Sequence, residues 1–423
     1  MNKKVKTSLL AVILLFIILF LLKTPNSHDN TQRPQTIMAD LSKIIKGQPI
    51  FMLEESHRKM DRDELEVFPS WNGSYDPFGI DLRSYDISKY NLSNYKKELE
   101  YAVFDTNTIW PNDMPSGFDP QKILELGKNP GLGIDLLHKQ GITGKGVNIA
   151  IIDTALLLTH DEYRENIMLY ELSHCLDDSA QMHGSAVVSV AVGKNVGVAP
   201  DAKVYYIAST FGTISPSGAE LDLSYMAEGI KRVLEINSVL PDDEKIRVIS
   251  ISTGIEPLAK GYTSVVDAIE LAKEEGVFVI TTTPQINYDI SITGMGRGLY
   301  DDPDDVQSYS PGILWSKDYT YYSEDIEKGN LLMVPMDSKT YAFCTGNSDY
   351  AFSRQGGLSF TCPWLAGMYA LCAQVKPDIT PEEFINISYE TGSTIKRKQY
   401  NQEVNFGIII NPVNIINKLI TDR

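Results

Sequence analysis

Four apolar segments separated by helix-length stretches constrain the fold of this chain more than any other feature. The segments are 146–152 (GVNIAII), 203–208 (KVYYIA), 248–252 (VISIS) and 277–281 (VFVIT). Between them apolar residues recur at helical spacing in two stretches, Met226, Ile230, Val233 and Leu234, and then Val265, Ala268, Ile269 and Ala272. Nearly continuous apolar strands that alternate with amphipathic helices are typical of a parallel sheet covered on both faces. We therefore predict a doubly wound α/β fold with a mostly parallel sheet and helices on both faces.

The charge balance argues against one class of partner. The 423 residues include 38 Lys and Arg against 55 Asp and Glu, which gives a formal net charge of −17. Proteins that bind nucleic acid need clustered cations that displace counterions from the phosphates. We therefore predict no nucleic-acid partner.

Residues 1–25 have the pattern of an export segment. Lys3, Lys4 and Lys6 precede an apolar run over residues 9–22, and Lys23 follows it. The run is shorter than the roughly 20 residues that span a bilayer comfortably. Two alternatives stay open: a removed signal peptide, or an uncleaved anchor that holds residues 8–23 in the membrane. In both, we expect the rest of the chain outside the cytoplasmic membrane, either membrane-anchored or secreted.

Residues 26–130 form a polar, turn-rich N-terminal extension before the main domain, which we assign to residues 131–423. Within it, residues 81–95 contain three five-residue units, 81–85 (DLRSY), 86–90 (DISKY) and 91–95 (NLSNY). They resemble the pentapeptide-repeat pattern, in which an apolar second residue points inward. Three units are few for a solenoid, because each unit must stack on neighbours to bury its face. We predict a turn-rich arm packed on the main domain. The sequence leaves open whether this extension is an inhibitory prosegment or an accessory arm.

The stretch from about 286 to 330 interrupts the alternation of strands and helices. It is rich in Gly, Tyr and Asp and includes Asp301, Asp302, Asp304 and Asp305. Carboxylates this close together are ligands that Ca²⁺ prefers, although solvated loops often have the same composition. Calcium is thus one alternative for this segment. Otherwise we predict no metal and no cofactor.

Three residues with catalytic chemistry lie at the edges of predicted strands and helices. Asp153 directly follows the first apolar strand, and reactive groups collect at the carboxyl ends of strands in open α/β sheets. His183 precedes a helix of small residues. Ser359 follows Gly356 and Gly357 at another helix start, where backbone N–H groups point at an anion. Each is common alone, but the order Asp, His, Ser over three βα units is not.

The sequence around these three residues resembles that of the subtilisin-like (S8) serine peptidases. The segment 149–154 (IAIIDT) is similar to the family's Asp motif, and 183–185 (HGS) to its His motif. The segment 357–363 (GLSFTCP) is similar to the Ser motif, and 198–202 (VAPDA) to the segment after the histidine helix. The resemblance covers about residues 130–415. It implies a subtilisin-like fold and a serine endopeptidase that cuts extended polypeptides through an acyl-enzyme.

The resemblance also implies roles for individual residues. Asp153, His183 and Ser359 are the expected catalytic triad. Segment 252–254, which contains Ser252, Thr253 and Gly254, resembles the family's strand that pairs with substrate. The family's oxyanion asparagine is missing; Gln285 lies at the matching offset, with Asn287 as the alternative. This departure leaves a second reading open, a catalytically silent subtilase fold used for binding.

Two other hydrolase classes lack their signatures in this sequence. An α/β-hydrolase esterase requires Gly-x-Ser-x-Gly and the order Ser, Asp, His. A zinc metallopeptidase of the common type requires His-Glu-x-x-His. Neither motif occurs.

Overall fold

The structure is a computed structural model that describes residues 62, 65–70, 79–176, 179–215, 218–313, 329–399, 402–405 and 407–422. The predicted signal or anchor at residues 1–25, with the membrane segment 8–23, lies outside the described residues. Within the part that is described, none of the helices combines the length and the apolar character needed to cross a membrane.

The secondary structure alternates strands and helices through most of the main domain. The strands are β1 (Ile80–Asp81), β2 (Ala102–Asp105), β3 (Asn148–Asp153), β4 (Ile167–Leu172), β5 (Lys203–Ala208), β6 (Gly212–Ser215), β7 (Gly218–Leu221), β8 (Ile246–Ser250), β9 (Phe278–Ile280), β10 (Ser291–Arg297), β11 (Tyr309–Pro311), β12 (Leu331–Pro335), β13 (Lys339–Ala342), β14 (Tyr350–Ser353), β15 (Lys396–Gln399), β16 (Gln402–Asn405) and β17 (Ile408–Ile409). The α-helices are α1 (Lys96–Leu99), α2 (Pro120–Lys128), α3 (Ile134–Lys139), α4 (Met182–Val192), α5 (Ser224–Val239), α6 (Tyr262–Glu274), α7 (Thr361–Val375), α8 (Pro381–Thr391) and α9 (Pro412–Thr421).

The central sheet is parallel and has the strand order β4-β5-β3-β8-β9. Successive residues of a strand point to opposite faces of the sheet, and Ile149, Ala150, Ile151 and Ile152 of β3 are all buried. Both faces are therefore covered, as predicted from the apolar runs. Helix α4 packs against α7, and α5 packs against α6. The doubly wound, mostly parallel α/β architecture is confirmed.

A second sheet, β11-β10-β12-β17, lies beside α7, and its strands β10 and β11 come from the stretch that interrupts the alternation of strands and helices in the sequence. Strands β10 and β12 run parallel, and β11 pairs antiparallel with β10. The glycine-containing sequence of residues 291–297 thus forms a strand that is buried along its whole length.

The described part of the N-terminal extension joins the main domain through a third sheet, β1-β2-β14-β13. Strand β2 pairs antiparallel with β14, with Phe104 opposite Phe352. The apolar second residues of the three five-residue units, Leu82, Ile87 and Leu92, are all buried. They belong to a hydrophobic cluster separate from the main core, and that cluster also contains Phe104 and Phe352. The extension therefore supplies a neighbour to the strand that leads toward Ser359.

Candidate active site

Asp153 is the last residue of β3, at the carboxyl edge of the central sheet. Its side chain is 3% exposed. Its Oδ1 accepts hydrogen bonds from the Thr154 backbone N–H at 2.8 Å and from the Thr154 hydroxyl at 3.2 Å. These bonds hold the carboxylate at one orientation, because a buried acceptor is expensive to leave without a donor.

His183 lies in the first turn of α4 and faces Asp153. The distance between His183 Nδ1 and Asp153 Oδ1 is 2.6 Å. The start of α4 is docked on the end of β3, since the Gly184 N–H donates to Thr154 Oγ1 at 3.0 Å. A Cβ on Gly184 would lie 2.3 Å from Thr154 O, so the helix approaches the strand this closely only with glycine at that position. The sequence thus brings histidine and aspartate together from separate βα units.

The protonation of His183 reflects two opposing effects. Burial disfavours the imidazolium, whereas the negative charge of Asp153 and its hydrogen bond favour it. The carboxylate prevails, and the pKa of His183 lies above its ordinary value. The imidazole is 21% exposed, so it remains in contact with solvent on one side.

Ser359 sits in a single 3₁₀ turn, Leu358–Phe360, which runs directly into α7. Gly357 is the residue before this turn. The side chain of Ser359 is partly exposed, and its backbone N–H belongs to the first turn, whose donors have no partner within the helix. An anion near Ser359 can therefore accept from this N–H group.

Ser359 is joined to the loop just after β8 by two reciprocal hydrogen bonds. The Ser359 hydroxyl donates to the carbonyl oxygen of Ser252 at 3.2 Å, and the Ser252 hydroxyl donates to the carbonyl oxygen of Ser359 at 2.8 Å. The Ser252 side chain thus positions Ser359.

The three predicted triad residues lie in one region of the fold. Helix α4, which carries His183, contacts the turn that carries Ser359. The charge of Asp153 also acts on the thiol of Cys362, three residues beyond Ser359. His183 Nε2 is buried and has no hydrogen-bond partner among the described residues. The Ser359 hydroxyl donates to the Ser252 carbonyl oxygen. The Asp–His half of the triad is hydrogen-bonded, and the His–Ser half is not.

The segment predicted to bind substrate runs beside the loop that follows β9. The Thr253 carbonyl accepts from the Thr282 N–H at 3.2 Å, and the Ile255 N–H donates to Thr283 Oγ1 at 2.8 Å. Thr253 is buried, and so is Gly254. The two segments form adjacent edges near Ser359.

The two oxyanion candidates differ in their surroundings. Gln285 is exposed, in the short 3₁₀ turn Pro284–Ile286. The Asn287 side-chain amide donates to Glu270 Oε1 at 2.8 Å, and its backbone carbonyl accepts from Lys273 Nζ at 3.2 Å. Both partners of Asn287 belong to α6, so its side-chain amide and its backbone carbonyl already have hydrogen-bond partners. The choice between Gln285 and Asn287 as oxyanion donor stays a prediction.

The acidic run predicted as an alternative calcium site supplies caps and turns. Asp304 accepts from the Gly133 N–H at 2.8 Å and from Asn129 Nδ2 at 2.9 Å, beside the start of α3. Asp301 accepts from the Gly298 N–H at 2.9 Å, and Asp305 accepts from the Gln307 N–H at 2.9 Å. In the described ranges, no group of three or more His, Cys, Asp or Glu is arranged to hold a metal ion. The calcium alternative stays a prediction.

Sequence reasoning missed two residues that position this site. Thr154 stands in the sequence only as the end of a motif, yet it bonds both Asp153 and the start of α4. Asp337 belongs to none of the motifs, and its carboxylate accepts from the Gly356 N–H at 2.8 Å, just before the Ser359 turn. The adjacency of Thr to the strand-end Asp was a usable signal for the first. Nothing in the local sequence marks the second.

Comparison with known proteins finds that this chain is similar to several proteases. A curated relative is "Subtilisin-like protease PopC" of Myxococcus xanthus (strain DK1622), 23% identical over 278 residues, a match that covers 59% of this chain and 56% of the relative. The chain thus spans little more than half the length of that protein. Among solved structures, "Structure of Prenylagaramide maturation protease PagA" is 17% identical with a TM-score of 0.46 and covers 68% of this chain and 98% of that one.

A second solved structure, of a serine-to-alanine mutant of the protease domain of PatA, is 16% identical with a TM-score of 0.45 and covers 67% of this chain and 98% of that one. The model of the Subtilase family, peptidase S8, matches residues 144–407, more than half of the chain and a range that contains Asp153, His183 and Ser359. The chain belongs to the Subtilase family.

Proposed function

We propose that this protein is a serine endopeptidase that hydrolyses extended polypeptides through Asp153, His183 and Ser359. The observation that carries the proposal is the 2.6 Å contact between His183 Nδ1 and Asp153 Oδ1, on a helix that touches the turn of Ser359. Family membership and the protease relative support the same reaction class.

The proposed reaction follows from the chemistry of these groups. His183 Nε2 takes the proton of the Ser359 hydroxyl while Oγ attacks the peptide carbonyl carbon. The C–N bond then breaks, and His183 returns the proton to the leaving amine. Asp153 holds the imidazole in the tautomer with hydrogen on Nδ1 and stabilises the imidazolium. Water attacks the acyl-enzyme by the same route and restores Ser359.

This reaction requires the Ser359 hydroxyl to turn from Ser252 O toward His183 Nε2. A serine side chain exchanges between staggered rotamers, and catalytic hydrogen bonds in enzymes without substrate are often incomplete. A substrate that pairs with segment 252–254 as an added strand needs the Ser252 carbonyl as an acceptor. Substrate binding therefore releases the hydroxyl that this carbonyl holds.

The oxyanion of the tetrahedral intermediate needs hydrogen-bond donors that stabilise its negative charge. We propose the Ser359 backbone N–H and the Gln285 side-chain amide, because Gln285 is exposed shortly after Thr282 and Thr283, which bond the substrate segment, and Asn287 is bonded to α6. One such donor contributes about 10²–10³ in rate in serine peptidases.

The proposal is tested with a fluorophosphonate probe, which reacts only with an activated serine, together with cleavage of unfolded casein. We expect the full chain to be labelled and to cut casein, and Ser359→Ala to lose both activities at an unchanged melting temperature. The matched control is Ser238→Ala, on the exposed end of α5, which should be labelled like the wild type. Equal casein cleavage by Ser359→Ala and wild type contradicts the proposal.

A second candidate function is a subtilase fold that binds polypeptides without cutting them. The observation in its favour is the Ser359 hydroxyl, which bonds Ser252 and leaves His183 Nε2 without a partner in the described part of the chain. The same probe separates the two candidates, because a silent fold remains unlabelled.

We also propose that the protein acts outside the cytoplasmic membrane, either anchored through residues 8–23 or secreted after removal of residues 1–25. The basic flank and apolar run support this location. Cell fractionation followed by N-terminal sequencing of the mature chain tests it, and a cytoplasmic, unprocessed protein contradicts it.

A further inference from the structure

The turn between β12 and β13 lies against the backbone that leads to Ser359. A Cβ on Gly356 would be 2.2 Å from the carbonyl oxygen of Met336, so the two backbones touch. A Cβ on Gly296 would be 2.5 Å from Asp337 Oδ2. The end of β10, the β12–β13 turn and the loop before the nucleophile therefore meet at one point.

Asp337 occupies that meeting point and is 2% exposed. Its Oδ1 accepts from the Gly356 N–H at 2.8 Å, and its Oδ2 accepts from the Ile313 N–H at 2.7 Å. Burial raises the pKa of this carboxyl, and the charge of Arg354 and these two N–H groups oppose the rise. Both oxygens of the carboxylate are therefore used on main-chain atoms of two different segments.

Arg354 and Ser338 also join the loop before Ser359 to the β12–β13 turn. Arg354 Nη1 donates to the Arg297 carbonyl and to Ser338 Oγ, each at 2.9 Å. The Ser338 N–H donates to the Arg354 carbonyl at 3.3 Å. Ser338 has a φ of 56°, a left-handed conformation that is uncommon for residues other than glycine and persists where the surroundings demand it.

We propose that Asp337 is a positioning residue for the nucleophile, which fixes the backbone of Gly356 and thereby the orientation of the turn that carries Ser359. This inference rests on the proposed peptidase function. It also makes Ile313, just beyond β11, part of the support of the active site, because one carboxylate binds the backbone of both Ile313 and Gly356.

The physical need for such a support lies in the two glycines before Ser359. Glycine loses more conformational freedom on folding than any other residue. Fixing the backbone of Gly356 and Gly357 therefore costs more conformational entropy than fixing the other residues of this loop. The carboxylate bond at Gly356 removes that freedom two residues before the turn begins. Charge-assisted bonds of this kind are roughly twice as strong as neutral ones. Misplacement of a reacting group by about 1 Å costs up to about 10²-fold in rate.

The test compares Asp337→Asn with the wild-type full chain. Asparagine keeps one oxygen acceptor but turns an NH₂ group toward the second backbone N–H. We expect the rate constant of fluorophosphonate labelling and kcat for a peptide substrate to fall by at least about tenfold, while KM changes less than about twofold.

The matched control is Glu162→Gln, another buried carboxylate that accepts from backbone N–H groups. Glu162 is 1% exposed and bonds the Asn195 N–H at 2.9 Å and the Val196 N–H at 3.3 Å, after α4. We expect a loss of melting temperature similar to that of Asp337→Asn, with labelling at the wild-type rate per folded molecule. Loss of rate without greater loss of stability separates positioning from plain structural support.

A second variant keeps the test decisive if Asp337→Asn does not fold. Gly296→Ala leaves Asp337 in place but directs a methyl group at its Oδ2, and we expect slower labelling from it as well. Wild-type labelling rates in the folded Asp337 or Gly296 variant, or an equal slowing in Glu162→Gln, overturn the positioning role alone. An unlabelled wild type instead overturns the proposed peptidase function, and the role of Asp337 with it.

Discussion

Replacement of Asp153 by Asn separates the two contributions that this carboxylate makes to His183. Asp153 Oδ1 receives His183 Nδ1 at 2.6 Å and the Thr154 N–H at 2.8 Å. An amide at this position either turns its NH₂ group toward Nδ1 or offers a neutral oxygen. The first orientation forces the proton onto Nε2, the nitrogen that must accept the proton of Ser359.

The expected loss of rate is large. The corresponding substitution in serine peptidases lowers kcat by about 10⁴, which corresponds to about 5 kcal/mol of transition-state stabilisation. The pH dependence should change as well. In the wild type the pKa of His183 lies above 6.5, because the charge and hydrogen bond of Asp153 outweigh burial. In Asp153→Asn burial acts without that opposition, so the pKa of His183 should fall below 6.5.

The assay is kcat/KM, or the labelling rate, measured from about pH 5 to about pH 10 at constant ionic strength. We expect the acid limb of the wild-type profile above pH 6.5 and that of Asp153→Asn below it, on a curve about 10⁴ lower. The control is Asp201→Asn, a surface carboxylate bonded to Thr143, whose profile should match the wild type. An acid limb at the same pH in Asp153→Asn and wild type refutes the reasoning.

The same shift has a consequence for stability with a defined sign. A His183 pKa raised in the folded state means that the native protein binds this proton more tightly than the unfolded chain. The resulting stabilisation is fully present below pH 6.5 and is lost as the pH rises through the folded-state pKa. The difference in melting temperature between wild type and Asp153→Asn should therefore be larger at about pH 6 than at about pH 9.

Two further predictions concern the extension and the oxyanion. Phe104→Ala should lower the free energy of unfolding by about 3–5 kcal/mol, because Phe104 is buried between Trp110 and Phe352, at ring-centroid distances of 5.2 and 5.3 Å. Denaturant titration measures this, and a loss below about 1 kcal/mol means that the extension packs on the domain without supporting it. Gln285→Ala should lower kcat at least about tenfold, whereas Asn287→Ala should leave kcat near the wild-type value. The reverse order of the two rates assigns the oxyanion role to Asn287.

The central sheet was predictable because its strands are buried on both faces. Segments 203–208 and 277–281 were predicted from their apolar runs, and the structure has β5 at Lys203–Ala208 and β9 at Phe278–Ile280. Strand β4 was not predicted. It lies at the edge of the sheet, and the charged Glu171, which pairs with Arg232 at 2.8 Å, ends its apolar run after residues 167–170.

Strand β10 escaped prediction for a different physical reason. Glycine disfavours strands, and its sequence Ser-Ile-Thr-Gly-Met-Gly-Arg reads as a loop. Gly294 and Gly296 lie where a Cβ would collide with Met336 and Asp337. Tertiary packing therefore dictates these glycines, and tertiary packing is invisible to local propensity.

The candidate site also has one part that the local sequence marks and another part that depends on tertiary contacts. Asp153, His183 and Ser359 stand in recognisable local sequence, so their order and context were enough to propose them. The bond between Asp337 and Gly356 joins two chain segments that meet only in the folded molecule. The orientation of the Ser359 hydroxyl toward Ser252 likewise depends on a contact between the loop after β8 and the turn before α7.

The pairing of β2 with β14 limits the order in which parts of this chain can assemble during synthesis. Asp105 lies opposite Ala351, so a strand that is synthesised early waits for a partner from much later in the sequence. Contacts between such distant parts of a chain form slowly, since a long loop must close first. The strand that leads toward Ser359 therefore becomes the neighbour of β2 only after Ala351 has been synthesised, and the extension cannot take its place in this sheet before then.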